Sequence, residues 1–242
     1  WDDFHRVLLT EGGVRSNLRV RFAGAGLAAV PALLWPVSGL GGSPGYLSME
    51  VAAASLVVAA YGTLVAVNPT MWKVMLPYAA LYGVGVLTPL LMLDYLGGPL
   101  ASLSSSLASA MTSAMGVSVA WQGVSFAFVS AGGEPISAVV SPVCSAAYSI
   151  SIYLALLGLM HLDMGASRST TLKFALAGVG AILLVNSARI SLTILFGFLG
   201  GSSAFWGVHD WLGYAMFFAF YLGVLVTYSR ATRTSAALPP RA

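Results

Sequence analysis

The chain has 242 residues, 58% of them hydrophobic and only 8% charged, against about 45–50% and about 25% in an ordinary soluble domain. Eleven basic and eight acidic side chains are too few to cover a water-soluble globule of this size, so a polytopic membrane protein is implied. The net charge of +3 is read as a topology signal with no nucleic-acid partner, and one cysteine excludes a disulfide framework or a Cys-cluster metal site.

The chain opens on a basic segment, 1–21, expected in the cytoplasm and without a removable signal peptide. Uncharged apolar runs then predict six transmembrane helices: Phe22 to Leu40, Leu47 to Val67, Val74 to Leu93, Pro142 to Leu162, Phe174 to Leu199 and Trp211 to Tyr228. Each is near the roughly 20 residues that cross a bilayer. With the amino terminus inside, Arg6, Arg15, Arg19, Arg21, Lys73, Arg168, Lys173, Arg230, Arg233 and Arg241 all fall on the cytoplasmic side, the last three within a tail at 229–242. The outer loops hold no Lys or Arg, a strong positive-inside bias. The eleventh basic residue, Arg189, lies within the fifth span. The fold class expected is all-α, a membrane-embedded domain over 1–242 with six transmembrane helices.

The long connection, 94–141, faces outward between the third and fourth spans. Leu103, Leu107, Met111, Met115 and Val119 recur every four residues with Ser102, Ser105, Ser106, Ser109 and Ser113 mostly between them. That stripe predicts an extracytoplasmic amphipathic helix lying at the membrane surface. Val124, Phe126 and Phe128 then alternate, Gly132-Gly133-Glu134-Pro135 offers a turn, and β-branched residues resume over 136–140. This predicts a small β-hairpin. Pro142 is placed to begin the fourth helix, which would open with Cys144 at its outer end.

Three unusual side chains therefore share the outer half of the membrane: Cys144, His209 at the entry to the sixth span, and Arg189 about 15 Å below the outer end of the fifth. This is the set that thiol acyl transfer uses. A thiolate is the nucleophile, favoured by a nearby cation or helix amino terminus. Arginine is a permanent forked cation able to hold a carbonyl and its oxyanion. Histidine moves protons to the leaving amine and from the incoming nucleophile. Taken singly, a membrane cysteine is commonly an apolar filler and an interfacial histidine beside Trp206 and Trp211 is commonly structural. An arginine at that depth costs a few kcal/mol and points to function. Asn186 and Thr193 share its helix face at i−3 and i+4. Tyr148 and Ser151 are expected to continue the face of Cys144, and Gly213 to permit close helix approach. His161 and His5 are read as structural, and Asp210 as a helix amino-terminal group. Glu50, Glu134, Asp94 and Asp210 are the outward acids.

At these residues the chain resembles the exosortase/archaeosortase proteins. The likeness runs from about Leu100 to Tyr228: a serine-rich helix ending Met115-Gly116-Val117, the hairpin Gly123 to Val140, Pro142-Val143-Cys144-Ser145, Asn186-Ser187-Ala188-Arg189-Ile190, and His209-Asp210-Trp211-Leu212-Gly213. It departs where Ala146 and Ala147 stand in a stretch that commonly holds a glycine. The resemblance implies a membrane cysteine protease and transpeptidase, similar in task to soluble sortases and unrelated in fold. Its nucleophile, arginine and histidine would be Cys144, Arg189 and His209, with Asn186, Tyr148, Glu134 and Thr193 binding substrate or supporting, and no metal or cofactor. Its partners would be exported proteins ending in a short motif, one transmembrane helix and a basic cluster, with a membrane lipid amine or water as acceptor. The active site would face outward with both termini in the cytoplasm. The rival reading is a transporter or channel in which Arg189, Asn186 and Thr193 bind an anion and Cys144 is filler.

Overall fold

The computed structural model describes residues 18–31 and 46–236. The segment 1–17, the distal part of the first expected span and the last six residues, 237–242, lie outside that set. Among the described residues four helical stretches are long and apolar enough to cross a membrane, Trp72–Ala114, Ala147–Met164, Arg168–His209 and Trp211–Arg233, with Ala52–Val67 a shorter apolar helix.

The chain divides into two compact units that part after Leu90. In the first, α1 (Leu18–Ala28) and α2 (Tyr46–Val67) pack at a glycine pair. A Cβ on Gly24 would lie 2.6 Å from the Ala66 nitrogen, and one on Gly62 would lie 2.5 Å from the Ala28 nitrogen. Only glycine permits that backbone contact. A short 3-10 turn, Pro69–Met71, follows, capped by the Asn68 side chain, which accepts from Thr70 N.

Helix α3 (Trp72–Ala114) corrects the first expectation about the outer connection. The third span and the serine-rich segment form one continuous helix instead of a span followed by a separate surface helix. Its buried face within the second unit is a stripe of small residues. Ala101, Ser104, Ser105, Ala108 and Thr112 are buried, while Leu103 and Met115 are exposed. Small residues let helix backbones approach closely in a membrane protein, and large apolar ones are free to face outward because lipid is no less apolar than leucine.

The hairpin is likewise extended to a three-stranded antiparallel meander in the order β1 (Ala120–Gln122), β2 (Ser125–Val129) and β3 (Pro135–Val139). Its inner face, with Phe126, Phe128 and Ile136, packs on Ala101, Ala108, Ile190, Ile194 and Phe205. After a 3-10 turn at Pro142–Cys144, helix α4 (Ala147–Met164) begins five residues later than expected and ends at Gly165, whose left-handed backbone donates to His161 O. The last helical run, Arg168–Ala236, is broken at Gly201, where φ is 76° and ψ is −169°. We name its two parts α5 (168–200) and α6 (202–236). The sixth helix thus starts nine residues before the position expected from hydropathy, and Asp210 lies within it instead of at its amino terminus.

A second core, distal to the sheet, is formed by Ile150, Tyr153, Leu157 and Met160 of α4 with Ile182 of α5 and Tyr228 of α6. It carries its own polar ties. The Thr171 hydroxyl lies 2.9 Å from His161 Nδ1 and 2.8 Å from the Tyr228 hydroxyl, and the Tyr153 hydroxyl donates to Phe174 O. His161 therefore joins α4 to α5 and α6.

Candidate active site

The local sequence Ser141-Pro142-Val143-Cys144-Ser145 explains the turn that carries the thiol. Ser141 caps it, its hydroxyl accepting from Cys144 N at 3.3 Å, and Pro142 fills the first position, where no N–H is needed. Ser145 Oγ donates to Pro142 O at 2.6 Å and accepts from Ala147 N at 3.3 Å, which fastens the turn to the start of α4. Gly97 of α3 makes room for it, since a Cβ there would stand 2.8 Å from Pro142 Cβ. Cys144 accordingly precedes α4 rather than opening it, so Tyr148 and Ser151 do not continue its helix face. Tyr148 is half-buried and does not line the cavity described below, whereas Ser151 is buried and donates to Ala147 O.

Helix α5 grips this turn through two side chains three residues apart, a spacing that places them on one helix face. Asn186 Nδ2 and Arg189 Nη2 each donate to the carbonyl oxygen of Cys144 at 3.2 Å. Asn186 is 1% exposed and also donates to Ser104 Oγ of α3 at 3.2 Å. One buried amide thus joins α3, α5 and the cysteine turn. Buried polar groups of this kind are costly unless paired, and here they are paired to one another. Ser191 adds a second tie, donating to Ala108 O at 3.2 Å. At Gly213, where close helix approach is expected, it is the Arg189 side chain that comes near: a Cβ there would lie 3.2 Å from Arg189 Nη1 and 3.3 Å from Arg189 Cδ. The arginine side chain lies along α6 in the space that glycine leaves open.

Cys144, Arg189, Thr193 and His209 line one cavity of about 150 Å³, walled by Val139 and Val140 at the end of β3 and by Phe205 and Trp206 of α6. Thr193 is buried and its hydroxyl donates to Arg189 O at 2.9 Å. The imidazole of His209 is half-buried, with its ring centre 5.9 Å from that of Trp206 and 6.5 Å from that of Phe205. The space is thus mostly apolar, with a thiol, a guanidinium, a hydroxyl and an imidazole opening into it, the usual character of a small-ligand site. Among the described residues no group of three or more His, Cys, Asp or Glu side chains is placed to hold a metal ion.

Glu134 stands apart from the cavity and is bonded to the start of α6. Its carboxylate accepts from Ser202 N at 2.9 Å, the first amide after the break at Gly201. The neighbouring Ala131 N donates to Phe198 O at 2.8 Å, close to the end of α5. The β2–β3 turn therefore holds both sides of the helix break. Gly201 is required twice over, by its positive φ and by Glu134 Oε2, which would lie 2.5 Å from a Cβ. The sequence reading missed Ser104, Ser141 and Gly201. The Ser-Pro start signal before Cys144 and the Gly200-Gly201-Ser202-Ser203 run were the available clues to the last two. A single serine among six nearby gave no clue to the first.

Comparison with known proteins adds one match. A family model described as transmembrane exosortase matches residues 6–226. No curated protein and no solved structure shows a significant match to the chain.

Proposed function

Given that the chain belongs to the transmembrane exosortase family, multi-pass membrane proteins of the transpeptidase type, we propose that it cleaves the carboxyl-terminal sorting signal of exported proteins through a Cys144 thioester. The observation that carries this reading is the meeting of Cys144, Arg189 and His209 at one cavity, with the cysteine's own carbonyl held by Asn186 and Arg189. A backbone held by two donors from a rigid helix fixes where the sulfur can point, which is the positioning that acyl transfer needs.

In this mechanism the thiolate of Cys144 attacks the scissile carbonyl, and the negative charge that develops on its oxygen is met by the Arg189 guanidinium. Collapse breaks the C–N bond, and His209 gives a proton to the departing amine, releasing the tail helix. The imidazole then takes a proton from the incoming nucleophile, a lipid headgroup amine or water, whose attack frees the thiol. In this reading both termini lie in the cytoplasm and the site opens on the outer face, in line with the positive-inside bias of the loops. A substrate with one transmembrane helix would reach it by lateral diffusion, its basic tail held inside. Thr193 supports the Arg189 backbone and Glu134 supports the start of α6. A transporter reading leaves the Cys144 turn and its carbonyl grip without a role.

The test is Cys144→Ala in cells carrying a tagged exported protein that ends in one transmembrane helix and a basic cluster. Loss of tail cleavage is expected. Unimpaired cleavage refutes the nucleophile, whereas loss of solute uptake in Arg189→Gln with Cys144→Ala silent would favour transport.

A further inference from the structure

Strand β3 is an edge of the meander, and the ladder defines what its outer side offers. Val140 N donates to Val124 O and Ser130 N donates to Glu134 O, both at 2.8 Å. The register pairs Phe126 with Ala138 and Phe128 with Ile136. In an antiparallel pair the residues of hydrogen-bonded pairs direct both backbone groups at the partner strand, and the alternate residues direct theirs away. The even-numbered residues from 134 to 140 therefore face β2. The N–H and C=O groups of Ser137 and Val139, with the carbonyl of Pro135, face the outer edge. Pro135 agrees with this parity, since a strand proline is tolerated where its missing N–H would point off the sheet.

No other strand pairs with that edge among the described residues. Natural edges are commonly blunted by charges or prolines, yet past Pro135 this one carries neither: 136–141 reads Ile-Ser-Ala-Val-Val-Ser, and Val139 is 58% exposed. The same strand runs directly into the proposed site. Ala138, Val139 and Val140 line the cavity that holds Cys144. A second, shallower hollow of about 460 Å³ lies over the sheet's outer face, lined by Gln122, Ser125, Ser137 and Val139 among others.

We propose that the edge of β3 takes up the substrate's main chain as an added strand, so that backbone groups of Ser137 and Val139 hold the residues just before the scissile bond. The inference rests on the transpeptidase reading and names its binding mode. Direction follows from the two ends. The peptide beyond the scissile bond leads into a transmembrane helix, whose N–H groups are bonded internally, so the extended segment is the one on the amino side. Its carboxyl end must reach Cys144, which lies beyond the carboxyl end of β3, and the added strand is therefore parallel to β3. Main-chain bonds then supply affinity for any extended sequence, and alternate side chains, facing the hollow over the sheet, supply selectivity.

The experiment uses the full-length chain with the tagged exported protein described above as probe. Ser137→Pro removes one outward N–H and no ladder bond. It is expected to lower tail cleavage about tenfold, through a higher half-saturating substrate level, with the thermal midpoint and the rate of Cys144 alkylation by a small maleimide unchanged. Ser137→Ala, which keeps the N–H, should restore cleavage to within about threefold. Val139→Pro gives the same comparison should Ser137→Pro misfold, and Ala138→Pro, which deletes a ladder bond, should lower the midpoint. Cleavage by a folded Ser137→Pro or Val139→Pro within about twofold of the parent overturns the strand pairing while the transpeptidase reading stands. Cleavage that survives Cys144→Ala overturns both.

Discussion

Replacing Glu134 by alanine removes the cap of α6 without touching the cavity, and the size of the effect follows from the bonds at the break. The carboxylate accepts from Ser202 N at 2.9 Å at the first turn of a helix that places His209 two turns further on. Losing a helix cap costs about 1 kcal/mol, and losing a negative charge at a helix amino terminus costs about 0.3–1 kcal/mol. The sum of about 1.5 kcal/mol corresponds to roughly tenfold in the population of the properly held start of α6. The turn's second tie, Ala131 N to Phe198 O, remains, so a three- to tenfold loss of tail cleavage is predicted for Glu134→Ala. Glu134→Gln keeps an acceptor oxygen and loses only the charge, and about twofold is predicted. Two readouts are needed: cleavage of the tagged substrate, and amide hydrogen exchange over 202–206, which should quicken in Glu134→Ala. Parent-like cleavage together with unchanged exchange in a folded Glu134→Ala would refute the cap as the device that positions His209.

Other outcomes follow from the same geometry. Asn186→Leu strands the Ser104 hydroxyl and one acceptor site on the Cys144 carbonyl in a buried place, and a loss of about 1–3 kcal/mol, read as a lower denaturation midpoint in detergent, is predicted. Gly213→Val forces a side chain onto Arg189, whose Nη1 would stand 3.2 Å from the first added carbon. Cleavage should fall tenfold or more while the protein still extracts as a folded species, and a parent-like rate would show that the guanidinium is not needed where it lies. Arg189→Lys keeps a charge but not the fork, and most activity should be lost with Cys144 still open to alkylation.

The three side chains that line the cavity were legible in the sequence as a set sharing one end of the membrane, not one by one. Arg189 carried the strongest signal, since a charge within an apolar span is costly and needs a partner or a task. The polar face of α5 was legible too, Asn186 and Thr193 standing at helical spacing from it. What stayed hidden shares one cause: in lipid, apolarity does not mark the inside. The large stripe Leu103, Leu107, Met111 and Met115 and the small stripe Ala101, Ser104, Ser105, Ala108 and Thr112 have the same helical period. Periodicity could not say which was buried, and small-residue packing decided it. The turn at Cys144 was misplaced because serine followed by proline begins a 3-10 turn as readily as an α-helix. β1 spans three residues, Ala120–Gln122, too short to show alternation. At Gly201 the hydropathy dip further on, at His209 and Asp210, drew the boundary away from the glycine that makes it.

The seam between α1 and α2 has a consequence for the order in which the chain assembles. At Gly24 and Gly62 backbone meets backbone, with Leu27 Cβ beside it at Gly62, so closing that contact freezes few rotamers. Such a pair is nearly complete once both helices have entered the bilayer, while the sheet and the cysteine turn still await strands and helices made later. The amino-terminal unit can thus settle early during synthesis, leaving the chemistry-bearing part to fold after it.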